Sequence, residues 1–203
     1  MMIIAAALMA LSVTAGVPRR LGPAPQKLVV CAPFVPGFQM GEARGLTSQI
    51  FGRVGVKIDW RGRRHCPTNS LPIDVSLDTP ADTFPGALGF AVPGSSARIV
   101  IFLDRIRRNA PEALAPRILA HVFAHEITHV LRGDRRHSDA GLMKAHWEQS
   151  DYHGMARGFL PFTAEDVRLI ERALTRPALT RPALATPVQI AQDKRNSAEG
   201  ARR

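Results

Sequence analysis

Residues 121–131 read His121-Val122-Phe123-Ala124-His125-Glu126-Ile127-Thr128-His129-Val130-Leu131, a stretch that contains the pattern His-Glu-x-x-His. Side chains four residues apart lie above one another on the same face of an α-helix. His125 and His129 can therefore direct their imidazoles to one point, with Glu126 beside them. The spacing predicts a two-histidine metal clamp with an adjacent carboxylate.

Zinc suits this combination of residues. With two or three nitrogen ligands at about 2.0–2.1 Å and one open position, zinc lowers the pKa of a bound water toward roughly 7. A neighbouring carboxylate can take the proton of this water and pass it to the leaving amine of a peptide, and we assign that role to Glu126. Because so short a pattern also arises by chance, the flanking sequence has to support it.

The flanking sequence predicts a buried helix that ends in a sharp turn. Gly133 is the residue best able to take the left-handed conformation after a helix, and such a turn would bring His137 back toward the metal. Gly141-Leu142-Met143 follow. The helix is apolar enough to lie in a core, with Ile118, Leu119, Val122, Phe123, Ile127, Val130 and Leu131.

This order of residues resembles the metzincin branch of the zincin metallopeptidases. Metzincins carry His-Glu-x-x-His-x-x-Gly-x-x-His, whereas here Gly133 comes one residue late and His137 two residues late. The closer resemblance is to a group of secreted bacterial proteins with the longer spacing, followed by Ser, Gly-Leu-Met and Trp, as here up to Trp147. The resemblance covers about residues 27–174. It implies a zincin-like fold, Zn²⁺ as cofactor, His125, His129 and His137 as ligands, and Met143 beneath the metal.

Other third ligands remain open. Glu148 lies nineteen residues after His129, near the spacing at which gluzincins place a ligating glutamate. His146, His153, Asp134 and Asp139 are also within reach of some loop geometry. His121 stands one turn before His125 but lacks a following glutamate, so we interpret it as a core histidine or one that supports a ligand.

Length, apolar content and net charge limit the number of domains and the kinds of partner that the chain can have. With 203 residues and 45% hydrophobic content, the chain is long enough for one domain with a core. The net charge of +10 favours anionic partners. The arginines are scattered and accompanied by one Tyr and two Trp, so the chain lacks the aromatic platform of single-strand binders, and we do not expect nucleic acid as a partner. Arg132, Arg135 and Arg136 would favour acidic substrates.

Residues 1–15 have the features of a signal peptide. The apolar run from Ile3 to Val13 is followed by small residues, which predicts cleavage after about Ala15 and a secreted or periplasmic protein. The run is shorter than the roughly 20 residues that cross a bilayer. Because an even cysteine count in an exported chain favours pairing, we expect a disulfide between Cys31 and Cys66.

The remaining pattern predicts an α+β domain over residues 27–175, after a flexible leader at 16–26. Strands at 28–31 and 56–60 flank a helix at 41–54, an order that predicts parallel strands. A third strand is expected at 72–77, with Ile73, Val75 and Leu77 on one face. Segments 86–94 and 98–104 resemble the edge strand above the cleft of matrix metalloproteinases and the strand before their zinc helix. The expected architecture is a mixed, twisted sheet of about 4–5 strands with a backing helix, an active-site helix and a C-terminal helix.

The C-terminal part contains a loop, a helix and a tail. Trp147, Asp151, Tyr152 and Phe159 would form a loop that floors the cleft, and a final helix would start at Thr163 and bury Val167, Ile170 and Leu174. Residues 176–203 carry prolines every five residues at first, and six Lys or Arg against two Asp or Glu. We interpret them as a disordered basic tail that could tether the protein to an anionic surface.

The sequence thus favours a secreted zinc-dependent endopeptidase, expected to be a monomer, that acts on a peptide or protein substrate. Two alternatives stay open. One is a secreted zincin-like binding protein that has lost catalysis, although an intact Glu126 would have no use there. The other is a basic surface or nucleic-acid binder with a chance motif.

Overall fold

The computed structural model of the chain describes residues 26–36, 38–94 and 97–175, so the predicted signal peptide, most of the leader and the basic tail lie outside the described residues. The strands are β1 (Gln26–Cys31), β2 (Val56–Arg61), β3 (Leu71–Ser76), β4 (Gly89–Val92) and β5 (Arg98–Phe102). The helices are α1 (Met40–Gly52), α2 (Leu103–Asn109), α3 (Ala115–Arg132), α4 (Gln149–Arg157) and α5 (Ala164–Thr175). Short 3₁₀ turns lie at Arg63–His65 and Gly141–Met143.

The five strands form one mixed sheet in the order β2-β1-β3-β5-β4. β1 pairs with β2 and β3 in parallel, and β3 with β5 in parallel, while β4 runs antiparallel to β5. The parallel pairing of β1 and β2 follows from the helix between them, since parallel neighbours need a crossover connection. The α+β class and the mixed sheet are as predicted, and β4 forms the expected edge strand.

Helices α1 and α3 pack against each other and against the sheet, and the core lies between these layers. Phe51 of α1 and Phe123 of α3 are fully buried there. The Thr47 hydroxyl of α1 donates to the Ala43 carbonyl of its own helix at 2.7 Å and lies 3.3 Å from the Ala120 carbonyl of α3, so the two helices approach closely inside the core. The helix that carries the histidines is therefore packed directly against α1 and the sheet.

Several predicted elements differ in their extent. β3 ends at Ser76, so Leu77 points into solvent with 55% of its surface exposed. β5 ends at Phe102 and helix α2 begins at Leu103, where the sequence suggested strand up to Asp104. The Asp104 carboxylate accepts from Thr79 at 2.6 Å, and its place in the first turn of a helix is electrostatically favourable. The leader also ends sooner, because β1 starts at Gln26.

Cys31 and Cys66 are joined by a disulfide, as predicted, and it ties the end of β1 to the segment after β2. Among the helices of the described residues, none is both long and apolar enough to span a bilayer.

Candidate active site

Helix α3 supplies two histidines and the glutamate. Every residue from Ile118 to His129 is buried, as the apolar pattern predicted. Pro116 lies in the first turn, where its missing N–H costs no helical hydrogen bond. The helix ends at Gly133, whose φ of 74° is left-handed and whose N–H donates to the His129 carbonyl at 3.0 Å. The predicted end of this helix is confirmed.

His125 and His129 meet at their Nε2 atoms, which are 3.0 Å apart. The Nδ1 atom of His125 lies 3.0 Å from the Leu142 carbonyl oxygen, and that of His129 lies 3.1 Å from the Asp134 carbonyl oxygen. Since a carbonyl oxygen only accepts, we assign the proton of each ring to Nδ1, so both Nε2 atoms present a lone pair. Two lone pairs at this distance repel each other unless a cation lies between them.

His137 joins this pair from the loop after α3. Its ring centroid is 5.3 Å from that of His125 and 4.9 Å from that of His129. One nitrogen of each of the three rings lies within 4.8 Å of the others. The loop therefore brings His137 to the site although it comes two residues later than the metzincin spacing.

The three rings are held in the uncharged form that binds metals. Burial is the main cause that lowers the pKa of His125 to about 3 and that of His129 to about 4. The pKa of the more exposed His137 is lowered too, by burial first and then by the charges of His146 and Arg132. Three neutral imidazoles that leave a fourth direction open are the ligand set of a catalytic zinc ion. The donor atoms present here fit that ion.

Glu126 lies beside the histidines with only 7% of its surface exposed. Within the described part of the chain, its carboxylate has no hydrogen-bond or ion-pair partner. Burial raises its pKa to about 8, because the ionised form is poorly solvated there. Its affinity for a proton is therefore higher than that of a solvent-exposed glutamate, and a general base works best when its pKa lies near the operating pH.

Met143 is fully buried in the short turn that follows His137. The turn is fixed at two points: Ser138 N–H donates to the Met143 carbonyl, and Leu142 N–H donates to the Pro161 carbonyl, each at 2.8 Å. The Leu142 carbonyl also accepts from the Trp147 indole at 3.2 Å. This turn thus orients His125 through Leu142.

Glu148, the alternative third ligand, is not brought to the histidines. It caps the N-terminus of α4, where its side chain is 74% exposed and accepts from the backbone N–H of Asp151. The other candidates are also absent from the group of ligand atoms. The Asp134 carboxylate pairs with Arg136 at 3.2 Å, and His153 lies exposed on α4.

His121 is a core histidine, one of the two roles the sequence suggested. It is fully buried, and both of its nitrogens are engaged within the protein. Nδ1 donates to the Arg117 carbonyl at 2.7 Å, while Nε2 accepts from the Leu160 N–H at 3.2 Å. Burial lowers its pKa to about 4. Neither nitrogen is left to bind a metal.

The histidines and Glu126 line a cleft of about 870 Å³. β4 contributes one wall of the cleft. Gly89 allows β4 to lie close to β5, since a Cβ at this position would lie 2.9 Å from the Val100 carbonyl oxygen. Trp147 and Tyr152 also line the cleft.

The prediction that residues near 151 form a loop was wrong, because Asp151 and Tyr152 lie on α4. The capping box that starts this helix lies in a polar stretch without an apolar pattern, so the sequence carries no clear sign of a helix there.

The three arginines near the site have different surroundings. Arg132 has only 4% of its side chain exposed and pairs with Asp166 at 2.9 Å, and Arg136 pairs with Asp134. Only Arg135 lines the cleft. Of the three arginines expected to favour acidic substrates, Arg135 is thus the one placed to contact a bound substrate directly, and the preference itself stays a prediction.

Asp166 is the residue that the sequence analysis missed. It lies in the first turn of the last helix, where it is fully buried and accepts hydrogen bonds from Arg132, Ser138 and Thr163. An aspartate three residues after a threonine is a common capping pattern, so no local signal distinguished it.

No protein-family model and no curated protein matches the sequence. Among solved structures, the crystal structure of archaemetzincin from Methanopyrus kandleri matches with a TM-score of 0.55 and 15% sequence identity. The match covers 79% of this chain and 100% of the archaemetzincin chain. This likeness establishes the zincin-like fold that the sequence predicted. Fold and histidine cluster together define the class: a zincin-like α+β protein with a candidate three-histidine metal site.

Proposed function

We propose that this chain is a zinc-dependent endopeptidase in which His125, His129 and His137 hold the metal and Glu126 is the general base and acid. The observation that carries the proposal is the 3.0 Å approach of two Nε2 lone pairs, each fixed by an Nδ1–H bond to a backbone carbonyl. Such carbonyl partners are typical of metal-binding histidines. A purely structural site would have no use for the adjacent buried carboxylate.

The chemistry divides between the metal and the protein. Zinc held by three nitrogens acts as a Lewis acid on a carbonyl and lowers the pKa of water toward about 7. Glu126 takes the proton from the attacking water and then delivers it to the nitrogen of the leaving amine. The surrounding burial favours the first transfer, because it raises the affinity of the carboxylate for a proton.

The substrate class follows from the cleft beside β4. This strand is the last in the sheet, so one side of its backbone is unpaired by any described strand. An extended peptide can add to such an edge through backbone hydrogen bonds, which do not depend on the side chains of the peptide. A peptide bound there would pass Glu126 and the histidines, which line the same cleft.

We also propose that the enzyme is exported by the apolar segment near residues 3–13 and works as a monomer. The support is the sequence pattern of a signal peptide and the Cys31–Cys66 disulfide, a bond that persists in oxidising compartments. The basic residues after 175 would give affinity for anionic surfaces.

Zinc removal tests the proposed function. Purified full-length protein should contain one zinc per chain by metal analysis and hydrolyse an unfolded protein substrate. A chelator should abolish hydrolysis, and added zinc should restore it.

His137→Ala should lose most of the zinc affinity, because two imidazoles hold the ion less tightly than three. His65→Ala removes an exposed histidine outside the group and is the matched control. Full zinc binding by His137→Ala, or none by the unaltered chain, would contradict the assignment.

We expect Arg135 to select acidic side chains. It is the arginine that lines the cleft, and a pairing there would contribute about 1 kcal/mol, or roughly fivefold in kcat/KM. Peptides that differ only by Asp against Asn should show this preference, and Arg135→Gln should remove it. Arg136→Gln makes the same change of charge at the neighbouring, Asp134-paired residue and should keep it. Equal cleavage of both peptides by the unaltered chain would count against the idea.

A further inference from the structure

A buried polar network joins the end of α3 to α5. The Asp166 side chain, with 0% exposure, accepts from Arg132 Nη1 at 2.9 Å and from the Ser138 hydroxyl at 2.8 Å through its Oδ1 atom. Its Oδ2 atom accepts from the Thr163 hydroxyl at 2.7 Å and the Thr163 N–H at 3.0 Å. One carboxylate thus connects three separate segments of the chain.

This network holds the loop that carries His137 on both sides. On one side, Arg132 pairs with Asp134 at 3.4 Å, and the Asp134 carbonyl accepts from His129 Nδ1. On the other side, Ser138 directly follows His137 and binds Asp166 through its hydroxyl and Met143 through its N–H. The exposed imidazole of His137 lies between these two fixed points.

A buried ion pair is a poor source of net stability, because the cost of desolvating two charges offsets most of their attraction. Well-packed apolar residues of the same volume would hold α3 and α5 together at least as well. What an apolar pair cannot do is accept a directional hydrogen bond from Ser138. The polar network therefore fixes the position of the His137 loop as well as the packing of the helices.

We propose that Asp166 is a positioning residue for the third metal ligand: through Ser138 and Arg132 it holds the 134–138 loop so that His137 stays with His125 and His129. The proposal rests on the proposed zinc site. It also explains how His137 reaches the other two histidines although it comes two residues later than in metzincins: Asp166 of α5 holds the adjacent Ser138 in place.

Two hydroxyl deletions separate positioning from simple stability. Ser138→Ala and Thr163→Ala each remove one hydroxyl donor to the same carboxylate, but only Ser138 adjoins His137. We expect Ser138→Ala to weaken zinc binding about tenfold, as measured by competition with a chromophoric chelator, because outer partners of ligands have effects of about 10–100-fold. Thr163→Ala should lower the melting temperature of the metal-free protein through the lost helix cap, with zinc affinity unchanged.

Two further variants complete the test. Ser138→Thr keeps the hydroxyl and should restore zinc affinity to within about threefold of the original, and Asp166→Asn should weaken it more than Ser138→Ala, since the buried charge that pairs with Arg132 is lost. Zinc affinity that is unchanged in Ser138→Ala, or reduced equally in Thr163→Ala, overturns the positioning role while the zinc site stands. If the unaltered chain binds no zinc, both proposals fail.

Discussion

Replacing Glu126 by Gln is expected to abolish peptide hydrolysis while zinc binding remains. The amide has nearly the shape of the carboxylate but cannot accept and return a proton, and general acid–base catalysis contributes about 10²–10⁴-fold. The three imidazoles that hold the metal are not altered. We therefore expect kcat to fall at least about 100-fold at saturating substrate, with the zinc content of the purified variant unchanged.

Glu112→Gln is the control for this experiment. Glu112 is exposed just before α3, so the substitution makes the same change in charge away from the cleft. Its hydrolysis rate should match that of the original chain. Hydrolysis by Glu126→Gln close to that level would show that another group takes the proton. If the variant loses zinc to the same extent as it loses hydrolysis, Glu126 acts in metal binding and not in proton transfer.

Replacing Gly141 by Ala is expected to have the largest effect on stability. Gly141 has a φ of 72°, and a Cβ there would lie 2.2 Å from the Pro161 carbonyl oxygen. The left-handed conformation alone costs an alanine about 1–2 kcal/mol, and the contact with backbone forces a further shift of the turn. Urea unfolding of the metal-free protein should show a loss of at least about 3 kcal/mol.

Gly133→Ala separates the two causes. Gly133 has nearly the same φ, 74°, but a Cβ there would meet no atom within 4 Å. It should lose only about 1–2 kcal/mol. The Gly141 variant should also bind zinc less tightly, because the adjacent Leu142 carbonyl orients His125. Equal losses of unfolding free energy in both variants would show that the Pro161 contact is relieved without cost.

Much of the fold could be predicted from local patterns. The apolar stripe and the proline and glycine at the ends of α3 are local signals, and so is the alternation of Val56 and Ile58 in β2. The errors arose where the local signal was ambiguous. At Leu103 an apolar residue suits a strand or a helix equally, and at Leu77 the chain has already left the sheet, so the alternating pattern no longer reports burial.

The sequence alone determined which residue types could form the site: the spacing of His125, Glu126 and His129 places them on one face of any helix, because the pitch of a helix is fixed by its backbone. It could not decide between His137 and Glu148, since both follow loops whose path depends on distant contacts. The tertiary structure brings His137, and not Glu148, to the two histidines of α3. Asp166, nearly thirty residues beyond His137, accepts a hydrogen bond from the adjacent Ser138, and the buried hydrogen bonds that it accepts from Ser138 and Arg132 exist only once α5 has packed against α3.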